Sequence, residues 1–515
     1  MYIIGLPIRE SFRELSSMDI PEYLGSVSDP KAGTFRWVLN NPSFLEFLHA
    51  GHCVTLQVFG KPGCGKSVLA KYLHTVIEGL LPPTPKVRDS CRLFFACSAA
   101  DERRSHPKYI LGSFIDQMLL DEEMPDFIYS FYKKDCKALN MDKKAKKAFE
   151  WRFDTLLKIF VRLTEIRGRQ NRRLICIVDG LDECERGAEL LELLLSFARI
   201  FSKPATGLHK AIVASRLYHD LVIPAGAFLV PTIDLDRADA MDEDLRIYIR
   251  TEVTTLLEHR PGYRPHEHLI VENLEKRANK MFLLVKLLIA MLPGMTDSSQ
   301  YSVKEVLRSL PDTLTEIYEK LWTGILTSHG DRAVTIVAWI VCSSRPFQID
   351  ELAIVIALER ILGEDVSKFS SLRTALEEYI PADLSGDIIR LFGPLVRVIG
   401  SRVELSHLTL KEYLLDHSNP ISIPKLTSIS EVHYRLAEIC ARAMDGAVEC
   451  PRRGSFESVD SVITVIGEHG PLCPEILQYA AESLEMHKAA AEGSGKLPEA
   501  KRKNLELRMY RAIEE

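Results

Sequence analysis

The chain has 515 residues, 46% of them hydrophobic and 26% charged, the balance of a soluble globular protein too long for one core and suited to roughly three domains. A formal net charge of only -6 gives no general electrostatic reason to bind nucleic acid or an anionic membrane. The eleven cysteines include no C-x-x-C pair and are odd in number, so neither a disulfide framework nor a structural zinc site is expected and a reducing, cytoplasmic setting fits.

Residues 1–50 read as an N-terminal helical extension, whose first nine residues lack the leader and apolar core of an export signal. The β-rich run 54–59 stops at a glycine, and residues 67–78 then show helical apolar spacing at Val68, Leu69, Tyr72, Leu73 and Val76. Further strands are predicted at 92–97, 174–178 and 211–214, with helices at 109–120 and 188–201 between them, so 51–235 reads as a doubly wound parallel sheet. From 236 to 310 a helical domain is expected, with helices over 242–259 and 268–291. Its most apolar stretch, 281–292, contains Lys286 and ends at Pro293, short of the roughly 20 residues a bilayer requires, and so reads as a buried helix.

Helices at 314–329, 331–341 and 349–362 follow. Two short strands, 391–398 and 402–408, then flank a Gly400-Ser401 turn ahead of a helix at 409–416, which predicts a winged-helix domain over 311–423. Residues 424–515 read as a C-terminal helical region that finishes in a polar, charged run from Gly493. The fold class expected is an α/β P-loop NTPase followed by a helical bundle, a winged helix and further helical segments, helix-rich overall.

Gly60, Lys61, Pro62, Gly63, Cys64, Gly65, Lys66 and Ser67 lie between the first strand and its helix. Phosphate binding needs backbone N–H groups that crowd around an anion, which glycines permit, and a helix N-terminus adds its dipole. Lys66 then supplies a point charge to the β and γ phosphates, and Ser67 a hydroxyl to Mg²⁺. Asp179 ends the apolar strand at the carboxyl edge of the sheet, where its carboxylate can hold Mg²⁺ through water. Asp182 and Glu183 put two more carboxylates within reach of a water lined up on the γ phosphate, which is what hydrolysis requires. The same pair also suits the first turn of the following helix, where the dipole favours acids, and the residues alone leave both roles open. Arg216 ends the strand 211–214 and can sense the γ phosphate, unless a neighbouring acid claims it. The ligands expected are ATP/ADP, with GTP not excluded, and Mg²⁺. The lysine run 133–147 is diluted by Asp135 and Asp142 and reads as a solvated helix face.

Together these motifs resemble the NACHT branch of the STAND signalling NTPases, and within it the NLR-like proteins of filamentous fungi, over about residues 34–490. Residues 60–67 resemble the family's nucleotide loop, and 177–183 its extended acidic motif, in which a small residue follows the Mg²⁺ aspartate. Residues 213–216 resemble its sensor strand, 310–318 the helix entering its winged-helix region, and 405–414 the segment whose histidine, here His407, contacts bound ADP. From its neighbours alone, His407 could equally be a core residue in line with Val403 and Leu405. Asn279 and Lys280 stand where the family often has a glycine beside the nucleotide, and neither the family's usual effector domain nor its ankyrin, WD or TPR repeats is visible. The resemblance implies a closed, ADP-bound monomer that exchanges to ATP, opens and forms a homo-oligomer that engages an unknown protein partner. Slow hydrolysis would reset it, in fungal non-self recognition or cell-death signalling. A conventional P-loop ATPase or kinase is the alternative.

Overall fold

The computed structural model describes residues 2–16, 18–50, 54–81, 89–120, 122–138, 151–185, 187–200, 209–218, 230–292, 297–363, 378–416, 429–448 and 474–492. The charged run from 493 and the lysine stretch beyond 138 lie outside them. The chain packs as two units, Met1–Ile317 and Tyr318–Glu515.

The first unit is built on β1 (Val54–Phe59), β2 (Asp89–Ala96), β3 (Arg172–Asp179), β4 (Lys210–Ser215) and β5 (Thr232–Asp234). They run parallel in the order β2-β3-β4-β1-β5. The helices around the sheet and after it are α1 (Tyr2–Leu15), α2 (Ile20–Ser26), α3 (Pro42–His49), α4 (Lys66–Leu80), α5 (Glu102–Ser105), α6 (Pro107–Leu119), α7 (Asp126–Ala138), α8 (Phe153–Arg169), α9 (Ala188–Ile200), α10 (Ala240–His259), α11 (Glu267–Arg277), α12 (Phe282–Met291) and α13 (Gln300–Arg308).

Successive side chains of a strand point to opposite faces, and both faces here are covered. Leu93, Phe95, Leu174, Cys176, Val178 and Val213 pack with apolar residues of α1, α6, α8 and α9. Phe94, Ile175, Ile177 and Ile212 pack instead with residues of α3 and α4. Burial on two faces is why these strands read as unbroken apolar runs. The N-terminal extension belongs to this core, since Ile8 and Phe12 are buried and Phe12 stacks on Trp151 with ring centroids 4.9 Å apart. Just before β4, buried His209 staples the layers: its Nδ1 accepts from Leu174 N at 3.1 Å and its Nε2 donates to the Thr164 carbonyl at 3.0 Å.

Two expectations require correction. The single helix expected over 268–291 is two, α11 and α12, because Asn279 (φ 43°) and Lys280 (φ 57°) are left-handed, a conformation that ends a right-handed helix. Lys280 Nζ holds that turn by donating to the Asp236 and Ala238 carbonyls at 3.1 and 3.2 Å. Residues 391–395 are not strand: Leu391 and Phe392 close a helix, Gly393 turns at φ 52°, and Gly393–Leu395 form a 3-10 turn whose proline has no N–H for a ladder.

The second unit contains α14 (Leu314–Cys342), α15 (Ile349–Gly363), α16 (Leu384–Phe392), α17 (Leu408–Leu415), α18 (Ile429–Val448) and α19 (Pro474–Glu492). Within α14, Gly330 is non-helical (φ 50°, ψ -129°), at the point where two helices were expected to meet. Strands β6 (Phe347–Gln348), β7 (Val396–Ile399) and β8 (Arg402–Leu405) form an antiparallel sheet in the order β6-β8-β7. Gly400, at φ 55°, makes the turn between β7 and β8. Arg345 forks onto Glu351 with two bonds of 2.8 Å and reaches Glu482 at 2.9 Å, tying α19 to the start of α15. No helix among the described residues is long and apolar enough to cross a membrane.

Candidate functional site

The three motif-bearing strands end level with one another. Phe59 of β1 pairs with Ser215 of β4, Val213 of β4 with Val178 of β3, and Asp179 of β3 with Ala96 of β2. Their following residues therefore open onto one edge of the sheet, the edge where ligands bind in open α/β folds.

The loop after β1 wraps the N-terminus of α4. Gly65 caps that helix at φ 94°, a conformation L side chains resist, and a Cβ there would come within 3.2 Å of Phe35 and 3.3 Å of Phe282. Lys66 is folded over its own loop, with Nζ donating to the Gly60 carbonyl at 2.7 Å and to that of Lys61 at 2.9 Å. Lys61 N donates to Asp236 Oδ1 at 3.1 Å, which anchors the loop to the segment after β5. Cys64 is fully buried and burial pushes its thiol pKa up, so it fills the loop and is no nucleophile.

Asp179 is buried at the end of β3. Its Oδ2 accepts from the Tyr23 hydroxyl at 3.2 Å. Burial raises its pKa, with the neighbouring Ser67 hydroxyl and the Lys66 ammonium acting against that rise. Its Oδ1 is buried and makes no hydrogen bond, although the Ser67 hydroxyl is close by. An open acceptor beside Ser67 and Lys66 fits a hydrated Mg²⁺, a hard cation that takes oxygen ligands and keeps several waters.

Gly180, at φ 68°, turns the chain so that Leu181–Glu183 form a 3-10 turn. The two acids on it differ. Asp182 accepts from Arg216 N at 2.9 Å through Oδ1 and pairs with Arg216 Nε at 3.0 Å through Oδ2, with the two side chains only 5% and 15% exposed. Glu183 accepts from Ala99 N at 3.1 Å. Burial first, then the charges of Asp182 and Asp179, raise its pKa to about 7. A carboxylate poised near neutrality suits proton transfer. Both acids lie on this 3-10 turn, ahead of helix α9, which begins at Ala188.

Residues 33–216 match the family model for Nephrocystin 3, N-terminal. Over 390 residues, 74% of this chain, the sequence is 25% identical to the vegetative incompatibility protein HET-E-1 of Podospora anserina. With its phosphate loop and acidic strand, the chain is similar to NACHT-type STAND P-loop NTPases. It spans about a quarter of the length of that curated relative, 26%. Solved structures that resemble it include a STAND protein with a tetratricopeptide repeat sensor from Pyrococcus horikoshii, 13% identical with a TM-score of 0.32, the match covering 88% of this chain and 55% of that one. Another is the ORC1 protein of Aeropyrum pernix in complex with DNA, 13% identical with a TM-score of 0.31, the match covering 79% of this chain and 96% of that one.

The first unit also contains residues that no motif announced. Phe35, itself left-handed at φ 59°, lies 6.3 Å from Phe282, which meets Tyr248 edge-on at 5.2 Å, so three aromatic rings from distant segments gather beside Gly65. Buried Asp244 fixes the first of these segments by accepting from Phe35 N at 3.0 Å and Trp37 Nε1 at 2.8 Å. Leu283 N donates to the Gly63 carbonyl at 3.1 Å, which joins the first turn of α12 to the phosphate loop. Asn279 and Lys280 thus make, without a glycine, a left-handed turn that a glycine would adopt freely.

His407 lies in the second unit, at the N-cap of α17, where its Nδ1 accepts from Thr409 N at 3.1 Å. It is half-buried and not part of the β8 core row; Thr409 in turn bonds the Tyr318 hydroxyl at 2.8 Å.

Proposed function

We propose that the chain is a nucleotide-dependent switch that binds ADP and ATP with Mg²⁺ at the carboxyl edge of the first sheet and hydrolyses ATP slowly. The observation that carries this reading is that Lys66, Ser67, Asp179 and a Glu183 poised near pH 7 share one electrostatic environment at the end of β1 and β3. Residues 60–67 would cradle the phosphates, Ser67 and Asp179 would hold Mg²⁺, and the three rings beside Gly65 offer apolar faces to a base. Mg²⁺, when bound, supplies charge neutralisation for the phosphates. Glu183 accepts a proton from the attacking water, and Asp182 holds Arg216 ready to turn toward a third phosphate. The bond between Leu283 N and the Gly63 carbonyl gives loop movements a direct route into α12.

Functionally we divide the chain into an extension (1–50), the nucleotide-binding domain (51–235), a helical domain (236–310), a winged-helix domain (311–423) and a C-terminal helical region (424–515). In the closed state His407 contacts ADP. ATP opens the molecule to a homo-oligomer that engages a protein partner in the cytoplasm. The name of the curated relative supports a setting in fungal non-self recognition or cell-death signalling.

The test is the nucleotide that copurifies and the rate at which it turns over. Retained ADP with turnover well below about one per second supports the switch. Rapid turnover with free exchange would instead establish a conventional P-loop ATPase or kinase.

A further inference from the structure

Helix α2 lies before residue 33, where the family match begins, yet it reaches the acidic strand. Asp19 caps it by accepting from Glu22 N at 2.9 Å. Tyr23 then donates its hydroxyl to Asp179 Oδ2 at 3.2 Å. Its ring lies 5.8 Å from that of Phe94, and the guanidinium of Arg104 sits 5.2 Å over its face. Arg104 is itself mostly buried and donates to the Ala96 carbonyl at 2.9 Å. Just beyond α2, Lys71 of α4 holds the chain by donating to the Val27 carbonyl at 2.6 Å and pairing with Asp29 at 2.7 Å. One short segment is thus fastened both to the helix that carries the phosphate loop and to the carboxylate of β3.

An ionised carboxylate has about four acceptor positions. Tyr23 takes one on Oδ2, while Oδ1 makes no hydrogen bond. A hydroxyl that fixes one oxygen leaves the other aimed and available, as the outer partners of metal-binding groups do. We propose that Tyr23 is a positioning residue for Asp179, so that α2 forms the metal side of the nucleotide site and its docking is coupled to Mg²⁺-nucleotide. The inference rests on the nucleotide reading above. Coupling is reciprocal: if Tyr23 strengthens Mg²⁺-dependent binding, Mg²⁺-nucleotide must tighten α2.

The test uses the full chain and Tyr23→Phe, which keeps the ring packed between Phe94 and Arg104 and removes only the hydroxyl. Binding of a fluorescent ADP is titrated in Mg²⁺ and again in EDTA. The variant should bind about tenfold more weakly in Mg²⁺ and unchanged in EDTA. In wild type, Mg²⁺-ADP should slow hydrogen exchange of the amides of Ile20–Ser26, and in the variant it should not. Equal weakening in both buffers, or none in either, would overturn the proposal by making the hydroxyl structural or idle. Tighter binding of the variant in Mg²⁺ would overturn it by making Tyr23 a competitor of the metal. Wild type that binds ADP in neither buffer would overturn the nucleotide reading itself, and this inference with it.

Discussion

If Glu183 accepts the proton of the attacking water, the pH dependence of kcat/KM should report its ionisation in the free protein. Its pKa is raised to about 7 by burial and by the charges of Asp182 and Asp179. About a tenth of the population is then ionised at pH 6 and about nine tenths at pH 8, so kcat/KM should climb about tenfold between them and flatten above. Glu183→Gln should lower kcat/KM by roughly 10²- to 10⁴-fold and abolish the slope. Asp182→Asn removes one of the charges that raise the pKa while keeping an oxygen for Arg216 N, so the midpoint should move to lower pH. The assay is phosphate release at limiting ATP in constant ionic strength, with circular dichroism to confirm folding at each pH. A flat profile between pH 6 and 9, or a Glu183→Gln variant with wild-type kcat/KM, would refute Glu183 as the base.

Lys66→Ala should weaken ADP and ATP by at least 100-fold, since each charge-assisted bond to phosphate contributes roughly 1.5–3 kcal/mol; ADP copurifying with the variant at the wild-type level would contradict the loop assignment. His407→Leu should speed ADP release and increase ATP-dependent oligomer in size-exclusion chromatography. Because His407 also caps α17, His407→Asn, which can still cap, separates the roles: loss of ADP retention in both variants indicates nucleotide contact, loss in the leucine variant alone a helix cap. Stability should fall on acidification. His209, buried and neutral, has its pKa lowered to about 4 from 6.5, so its contribution is complete above pH 6.5 and is lost as pH falls toward 4, roughly 2 kcal/mol of it by pH 5. Urea midpoints of wild type and His209→Gln at pH 7 and pH 5 check this, and an equal pH dependence in the two proteins would count against it.

The phosphate loop and the acidic strand were legible because each is a contiguous motif on a strand buried on both faces, where apolar runs leave little choice. The three-residue strand β5 was not, since Thr232–Asp234 is too short to show a period. The break between α11 and α12 was hidden because asparagine and lysine carry no mark of the left-handed turn they adopt; Lys280 is held there by carbonyls more than 40 residues away. The apolar Leu391 and Phe392 were misread as strand although Gly393 and Pro394 follow them. The site shows the same division. Lys66 and Asp179 were found from local spacing, whereas Tyr23, Phe35, Tyr248 and Phe282 come together only through tertiary packing. The bond between Asp182 and Arg216 joins residues 34 apart, and no local rule announces it.

The strand order also acts as a ruler. Because β4 lies between β1 and β3, the strand leading into the phosphate loop and the strand ending in Asp179 stand two sheet spacings apart, roughly 10 Å. Were they neighbours, about 5 Å would separate them. The intervening strand delivers Arg216 to the middle of that interval. The spacing of the two strand ends, and the position of Arg216 between them, are therefore properties of backbone pairing, and side-chain substitution can retune the chemistry in the gap without changing its span.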